Sequence, residues 1–411
     1  MSSSSSQGQK VIIRKPDVAL SPPAMYQTNP PPHHTSSDAS KRSFVSPWPS
    51  AGTGSLTLLQ FLRIRLFEWE KPEAFLQEIP KVEKCTWIDT KTKEQEGKIA
   101  FTWIGHAGCH FRIPIPGSDQ FVTVLTDPVL SNRCSPFQFI GPARIQEAPT
   151  SVTEMAKSQL ANIWPDVLVL SHNHYDHLDY NTIKSFLDNQ TNQRPIPHVF
   201  CSLGVAQFFY DLGFPKDGVT ELDWWQEREI SWSSLQDTQK SIKLTCVPAQ
   251  HFSGRSLSDR NKTVWAGWIF EALGNDENKT KGKKVYFAGD SGYRQITREH
   301  IQSGKSDDIL PYCPAFEEIG HLFGPIDFAA IPIGAYKPRT AMSAVHMNPL
   351  EAIQVHKQVR SKQSIGIHWG SFPLAAEGYN EPRITLKEEM RKSGLPIDQF
   401  TTMEIGQTQY F

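Results

Sequence analysis

The chain has 411 residues, of which 38 % are hydrophobic, and a formal net charge of −1. That length suffices for a large buried core in one large domain or two close-packed ones, and near-neutral charge argues against nucleic-acid binding through a basic face. No run of about 18 apolar residues occurs, so no membrane-spanning helix is expected.

Residues 1–50 hold twelve Ser and eight Pro, with "MSSSSSQ" and "NPPPHH" among them. Such a stretch buries too little surface to offset its ordering entropy, so 1–45 is expected to be a disordered tail, with His33 and His34 in solvent. It lacks the apolar core of a secretory signal. Five Lys/Arg against two Asp leave a mitochondrial transit role open, although the prolines oppose the amphipathic helix such peptides need.

Residues 46–97 read as an N-terminal extension. Within it, "SLTLLQFLRIRLFEWEKPE" (55–73) predicts a helix capped by Ser55 and ended before Pro72. Apolar residues wrap most of its circumference, broken by Arg63 and Arg65. Two readings fit: a helix docked on the core, or an interfacial segment over 55–70 with arginines at lipid headgroups, helped by Trp48.

From 98 to 411 the texture is that of one catalytic domain. Short β-rich runs ("KIAFTWIG", "FVTVLTDP", "DVLVLS", "PHVFCS", "SIKLTCVPA", "VWAGWIFEA", "KKVYFAGD", "DFAAIPIG", "QSIGIHW") alternate with predicted helices at 181–189, 203–212, 349–361 and 384–393. Several runs are almost wholly apolar, as strands covered on both faces are, which implies a layered α/β domain. The polar stretches 231–241 and 274–284 read as surface loops. The six cysteines form no C-x-x-C pair and fit reduced, mostly buried thiols.

The strand "DVLVL" runs directly into "SHNHYDHLD" (171–179), which crowds His172, His174, Asp176 and His177 onto the strand's carboxyl end. Imidazole and carboxylate donors suit Zn²⁺ or a similar borderline ion. Four donors in six residues strain to meet one tetrahedral ion, so two neighbouring metals are expected. Further donors stand just beyond other strands: His251 after "KLTCVPAQ", Asp290 in "GDSG" and His368 in "HWGS". Open α/β sheets place their sites at such strand ends.

Together with "WIGHA", "SNRCSPFQFIGPAR", "FAGDSGY", "GAYKPR" and "IHWGSF", these residues make the chain similar to the N-acyl-phosphatidylethanolamine-hydrolysing phospholipase D family of the metallo-β-lactamase superfamily, over roughly 44–400. The resemblance implies an αββα sandwich of two mixed β-sheets flanked by helices, with two Zn²⁺ per chain at one edge. One zinc would take His172, His174 and His251, the other Asp176, His177 and His368, with Asp290 and a hydroxide bridging them. It further implies an intracellular, peripherally membrane-associated homodimer that converts N-acyl-phosphatidylethanolamine to N-acylethanolamine and phosphatidic acid. Two cations about 3.5–4 Å apart suit an anionic phosphodiester, since they neutralise it and lower the pKa of a bridging water.

Asp176 and Asp290 are the expected catalytic carboxylates. His346, in "SAVHMNP", matches a family active-site histidine and is expected to protonate the leaving alkoxide or to touch the phosphate. Val345 departs from the glutamine that familiar animal members place before it, which removes one polar contact. Tyr180 matches a tyrosine near the substrate. Lys337 and Arg339 read either as headgroup attractors or as solvated charges, and His106 and Asp127 as hydrogen-bonding groups beneath the site. Two other readings stay open: a binuclear hydrolase of a soluble phosphodiester or lactone, and a non-catalytic relative that keeps zinc for structure.

Overall fold

The computed structural model describes residues 10–38, 40–52, 72–85, 87, 96–160, 163–233, 240–256, 258–274 and 280–411. Its strands form two mixed sheets. The first orders β15 (Thr408–Tyr410), β2 (Ala100–Gly105), β3 (Gly108–Pro114), β4 (Phe121–Thr126), β5 (Val167–Leu170), β6 (His198–Ser202) and β7 (Val219–Leu222). The second orders β1 (Lys10–Arg14), β8 (Glu227–Ser233), β9 (Lys240–Pro248), β10 (Ala266–Leu273), β11 (Lys281–Phe287), β12 (Ile326–Pro332), β13 (Ser361–Ile367) and β14 (Phe400–Thr401). Each sheet is antiparallel on one side, through β4 and through β11, and parallel on the other.

Strand β5 shows why its sequence is apolar throughout. Val167 and Val169 join the core between the sheets, while Leu168 and Leu170 face the layer of helices Tyr180–Asp188 and Ala206–Leu212. Each such fully buried side chain contributes on the order of 1.5–3 kcal/mol. Between the sheets, Phe101 meets Phe328 at 4.8 Å and Phe111 meets Phe270 at 5.9 Å. Helices Ala315–Phe323, Pro349–Gln358 and Glu381–Lys392 bury their apolar residues on the second sheet's outer side. The result is the αββα sandwich expected.

Three expectations are corrected. Residues 10–45 are not a loose tail: Lys10–Arg14 pairs antiparallel with β8, and Tyr26, His33 and Phe44 are buried. Aromatic rings supply the apolar surface that the Ser/Pro run lacks, and proline's fixed φ lowers the entropy lost on ordering. His33 and His34 donate to the two carboxylate oxygens of Asp223, at 2.8 and 2.7 Å. Trp48 stacks on Trp224 at 5.5 Å in the core and cannot serve as a membrane anchor. The stretches taken for loops at 231–241 and 274–284 contribute the end of β8, the start of β9 and the start of β11; alternation of Ile230 and Trp232 inward is masked there by polar neighbours. The helix expected over 55–70 lies outside the described residues. No helix among the described residues is long and apolar enough to cross a membrane.

The carboxyl ends of β5, β9, β11 and β13 feed loops that meet at one edge of the sandwich, joined there by the loops after β2 and β4.

Candidate metal centre

Neighbouring loops are laced together before any metal donor is considered. Gln250, after β9, donates its backbone N–H to the Ser291 hydroxyl oxygen (2.8 Å) and its side-chain amide to Ala344 O (2.9 Å). Gly292 donates its N–H to Gln250 O (2.7 Å), and Met347 donates to Ser291 O (2.9 Å). A Cβ at Gly292 would stand 2.3 Å from Ala344 O, so only glycine permits this approach. The lacing sets His251, Asp290 and His346 side by side.

Two donor clusters result. In one, ligand atoms of His172, His174 and His251 lie within 4.8 Å of one another. Nε2 of His172 and Nδ1 of His174 are 2.8 Å apart, and Nε2 of His251 is 3.2 Å from the same Nδ1. In the other, Asp176, His177 and His368 converge equally closely, with the two Nε2 atoms 3.3 Å apart. Asp290 spans the pair: its Oδ2 is 3.0 Å from His177 and 3.7 Å from His251, and its Oδ1 is 3.0 Å from His368. The seven donors expected from the sequence are thus together.

The rings are held from behind. His177 Nδ1–H donates to Asp127 at 2.7 Å, and His251 Nδ1–H donates to Val345 O at 2.9 Å. His172 Nδ1–H donates at 2.9 Å to the Ser171 hydroxyl, which itself donates to Asp127. Asp127 also accepts the Ser171 N–H at 2.8 Å. Outer bonds of this kind orient each ring and turn its inner Nε2 toward the donor cluster. Ring nitrogens gathered within about 3 Å of one another, beside carboxylates, can share a cation. This donor set fits divalent cations.

Electrostatics divide the clusters. Burial pushes His174 down to about 3 and His251 to about 4, and His172 well below its ordinary value, so these three are neutral imidazoles, the form that binds metal. Burial also opposes charge at His368, yet Asp290 raises it to about 9. For Asp176, burial is outweighed by His177 and His106, which hold the carboxyl well below the usual range. Without metal, protons on histidine therefore neutralise the two carboxylates, and metal binding would release them.

His106 and Asp127 lie where expected, beneath the donors. His106 Nε2–H donates to Asp176 at 2.9 Å, and its ring packs 3.9 Å from that of His368. Three of these residues adopt left-handed backbone: His106 at φ 54°, Asp127 at 36° and His368 at 65°. Such conformations cost non-glycine residues on the order of 1 kcal/mol each and gather at functional sites.

His346 is 8 % exposed, with Nδ1 3.9 Å from Asp290 Oδ2 and no hydrogen-bond partner. Tyr180 opens a helix capped by Asp179 and is half exposed, rather than packed on the core. Both basic side chains are paired within the fold: the partly solvated Lys337 meets Glu381 at 2.6 Å, and the largely covered Arg339 meets both Glu351 oxygens at 2.7 Å. Their charges are spent within the fold.

Two bracing residues carried no signal in the sequence. Arg255 donates to Asn173 O (2.9 Å) and Leu178 O (2.8 Å) and stacks 3.9 Å from the Tyr175 ring, gripping both ends of the histidine loop. Asn173 accepts the Gly254 N–H at 2.8 Å.

Residues 122–369 match the model of the Beta-lactamase superfamily domain. A Caenorhabditis elegans protein named N-acyl-phosphatidylethanolamine-hydrolyzing phospholipase D 1 is 36 % identical over 317 residues, 76 % of this chain and 76 % of its own length. The mitochondrial Saccharomyces cerevisiae protein of the same activity name is 28 % identical over 328 residues, 79 % of this chain and 59 % of its own length. An uncharacterized Mycobacterium tuberculosis protein is 34 % identical over 288 residues, 69 % of this chain and 62 % of its own length. With that identity and the domain match, this hydrolase of the metallo-β-lactamase superfamily belongs to the N-acyl-phosphatidylethanolamine-hydrolysing phospholipase D family.

Proposed function

We propose that the chain is a membrane-associated phosphodiesterase of the phospholipase D type, releasing N-acylethanolamine and phosphatidic acid from N-acyl-phosphatidylethanolamine. The observation that carries this reading is Asp290, a buried carboxylate within 3.0–3.7 Å of histidines from both donor clusters. In this reading one zinc is held by His172, His174 and His251, and a second by Asp176, His177 and His368. The two ions would supply charge neutralisation for the phosphate and an activated water.

The protein's own part is positioning. Asp290 fixes the separation of the clusters, and Asp127 and His106 hold the ligand atoms in place. His346 points a free ring nitrogen toward Asp290 and is assigned to the phosphate or the departing oxygen. Tyr180 is assigned to the substrate's approach, given its exposure on the same loop–helix junction. Mitochondrial placement and a homodimer belong to the same reading, supported by the yeast relative's name and the family likeness respectively.

The test is direct. Protein purified without chelator should contain two zinc ions and release phosphatidic acid from N-acyl-phosphatidylethanolamine, but leave generic soluble phosphodiesters and lactones untouched. Turnover of the soluble compounds alone would favour the soluble-substrate hydrolase. Unchanged hydrolysis by Asp290→Asn would sink both enzymatic readings.

A further inference from the structure

Three large apolar side chains stand in water on one short loop: Phe137 at 55 % exposure, Phe139 at 80 % and Ile140 at 59 %. They are not stray ends. The Phe137 and Phe139 rings stack at 5.4 Å, and the loop beneath them is closed on itself. The Arg133 N–H donates to Gln138 Oε1 at 3.1 Å and the Gln138 amide returns to Arg133 O at 3.0 Å. The Arg133 guanidinium donates to Gly141 O, and the Cys134 N–H donates to Pro142 O at 3.2 Å. Gly141 stands at φ 97°, where a Cβ would meet Ser135 at 2.7 Å, so the closure needs glycine.

Both feet of this loop rest on the proposed metal centre. Ser131 donates its N–H (3.0 Å) and hydroxyl (2.9 Å) to Asp179, just past His177. At the other foot the Ile145 N–H donates to Ser371 O (2.9 Å), and the Arg144 guanidinium lies 4.8 Å over the Phe372 ring. That ring is 5.4 Å from His106, which holds Asp176. The tip is therefore carried by the segments that bear the donors.

Residues 134–142, "CSPFQFIGP", contain no charged side chain, so the tip can leave water without desolvating an ion. Aromatic side chains favour the interfacial zone of a bilayer. A second protein copy is a poorer match, because three side chains offer a few hundred Å² against the ~800 Å² per partner of a stable interface. We propose that the 133–143 loop inserts into a lipid bilayer and plants the mouth of the metal centre on the membrane that holds its substrate. This inference rests on the reading of a bilayer lipid as substrate.

Its test uses phosphatidylcholine vesicles free of N-acylated lipid, so that binding is read apart from catalysis. The variant Phe137→Ser/Phe139→Ser/Ile140→Ser should partition more than about tenfold more weakly than wild type, given the apolar surface removed. It should still hydrolyse a short-chain, water-soluble analogue of the same phosphodiester at the wild-type rate. In a second arm, Phe139→Trp should add fluorescence quenched by brominated acyl chains beyond the wild-type signal. Equal vesicle binding by the triple variant, or no added quenching, overturns the proposal. So does a triple variant that changes oligomeric state while binding vesicles normally, which would make the loop a contact between copies. If wild type binds vesicles through the loop but leaves N-acyl-phosphatidylethanolamine intact, the substrate assignment fails and the docking loop stands.

Discussion

Among the described residues, a histidine–aspartate group at the sheet edge and another near the amino end are put to opposite uses. At the sheet edge, ring nitrogens of His172, His174, His251, His177 and His368 face one another, and the outer nitrogens of His172, His177 and His251 are bonded away. Near the amino end, His33 and His34 each donate to one oxygen of Asp223, so donors and acceptors match with nothing left over between them. The first arrangement converges on points that a cation can fill. The second pairs each ring with a carboxylate oxygen and ties His33 and His34 to the loop after β7, beside Trp224 stacked 4.1 Å from His33. Composition alone does not separate a metal site from a clamp; the direction of the lone pairs does.

The sharpest way to break this contrast is Asp290→Asn. It should lower hydrolysis by about 10³-fold or more and cut bound metal, with the circular dichroism spectrum unchanged, because charge between the clusters is lost. Retained metal and rate would put Asp290 outside the centre. Asp223→Ala is the reciprocal experiment. Leaving two buried histidines without an acceptor should destabilise the fold by about 3 kcal/mol in denaturant titration, with metal content unaltered. Metal lost in step with Asp223 would make the clamp a third ion site.

Asp127→Asn addresses the bracing rather than the donors. Weakening the bond that orients His177 should reduce metal affinity about 10–100-fold, measured by competition with a chromogenic chelator, at nearly constant thermal stability. The smallest expected effect concerns pH. Burial lowers the His33 pKa below its ordinary value, so the unfolded chain takes up a proton there that the folded chain refuses. Stability from this group is full above about pH 6.5 and falls as pH drops toward the depressed folded value. Replacing His33 by Asn should flatten that part of the stability curve relative to wild type; an unchanged slope would assign the acid sensitivity elsewhere.

How much of this was legible in the sequence differs between the same two regions. The metal donors could be found because each stands directly after an apolar strand, where β5, β9, β11 and β13 must end together. The nine apolar runs all became strands, since a side chain run covered on both faces has few other solutions. By contrast, the amino-terminal segment owes its order to partners about 190 residues away, Asp223 and Trp224, which local composition cannot reveal. Strand β8 stayed hidden for a related reason: its polar Glu229 is buried, covered by Arg14 of β1 far away in sequence. Arg255 was invisible because it acts through backbone carbonyls, which leave no mark on residue type.

The left-handed backbone at His106, Asp127 and His368 has a consequence for how such a centre should be dissected. An alanine placed there removes the side chain but keeps a conformation only glycine adopts freely, so its lost stability mixes two origins. Glycine at the same position removes the side chain and the torsional penalty together, and should outlast the alanine version by about 1 kcal/mol. Comparing the two exchanges position by position would turn a backbone anomaly into a measured quantity: the tension that the scaffold sustains in order to aim three side chains at one point.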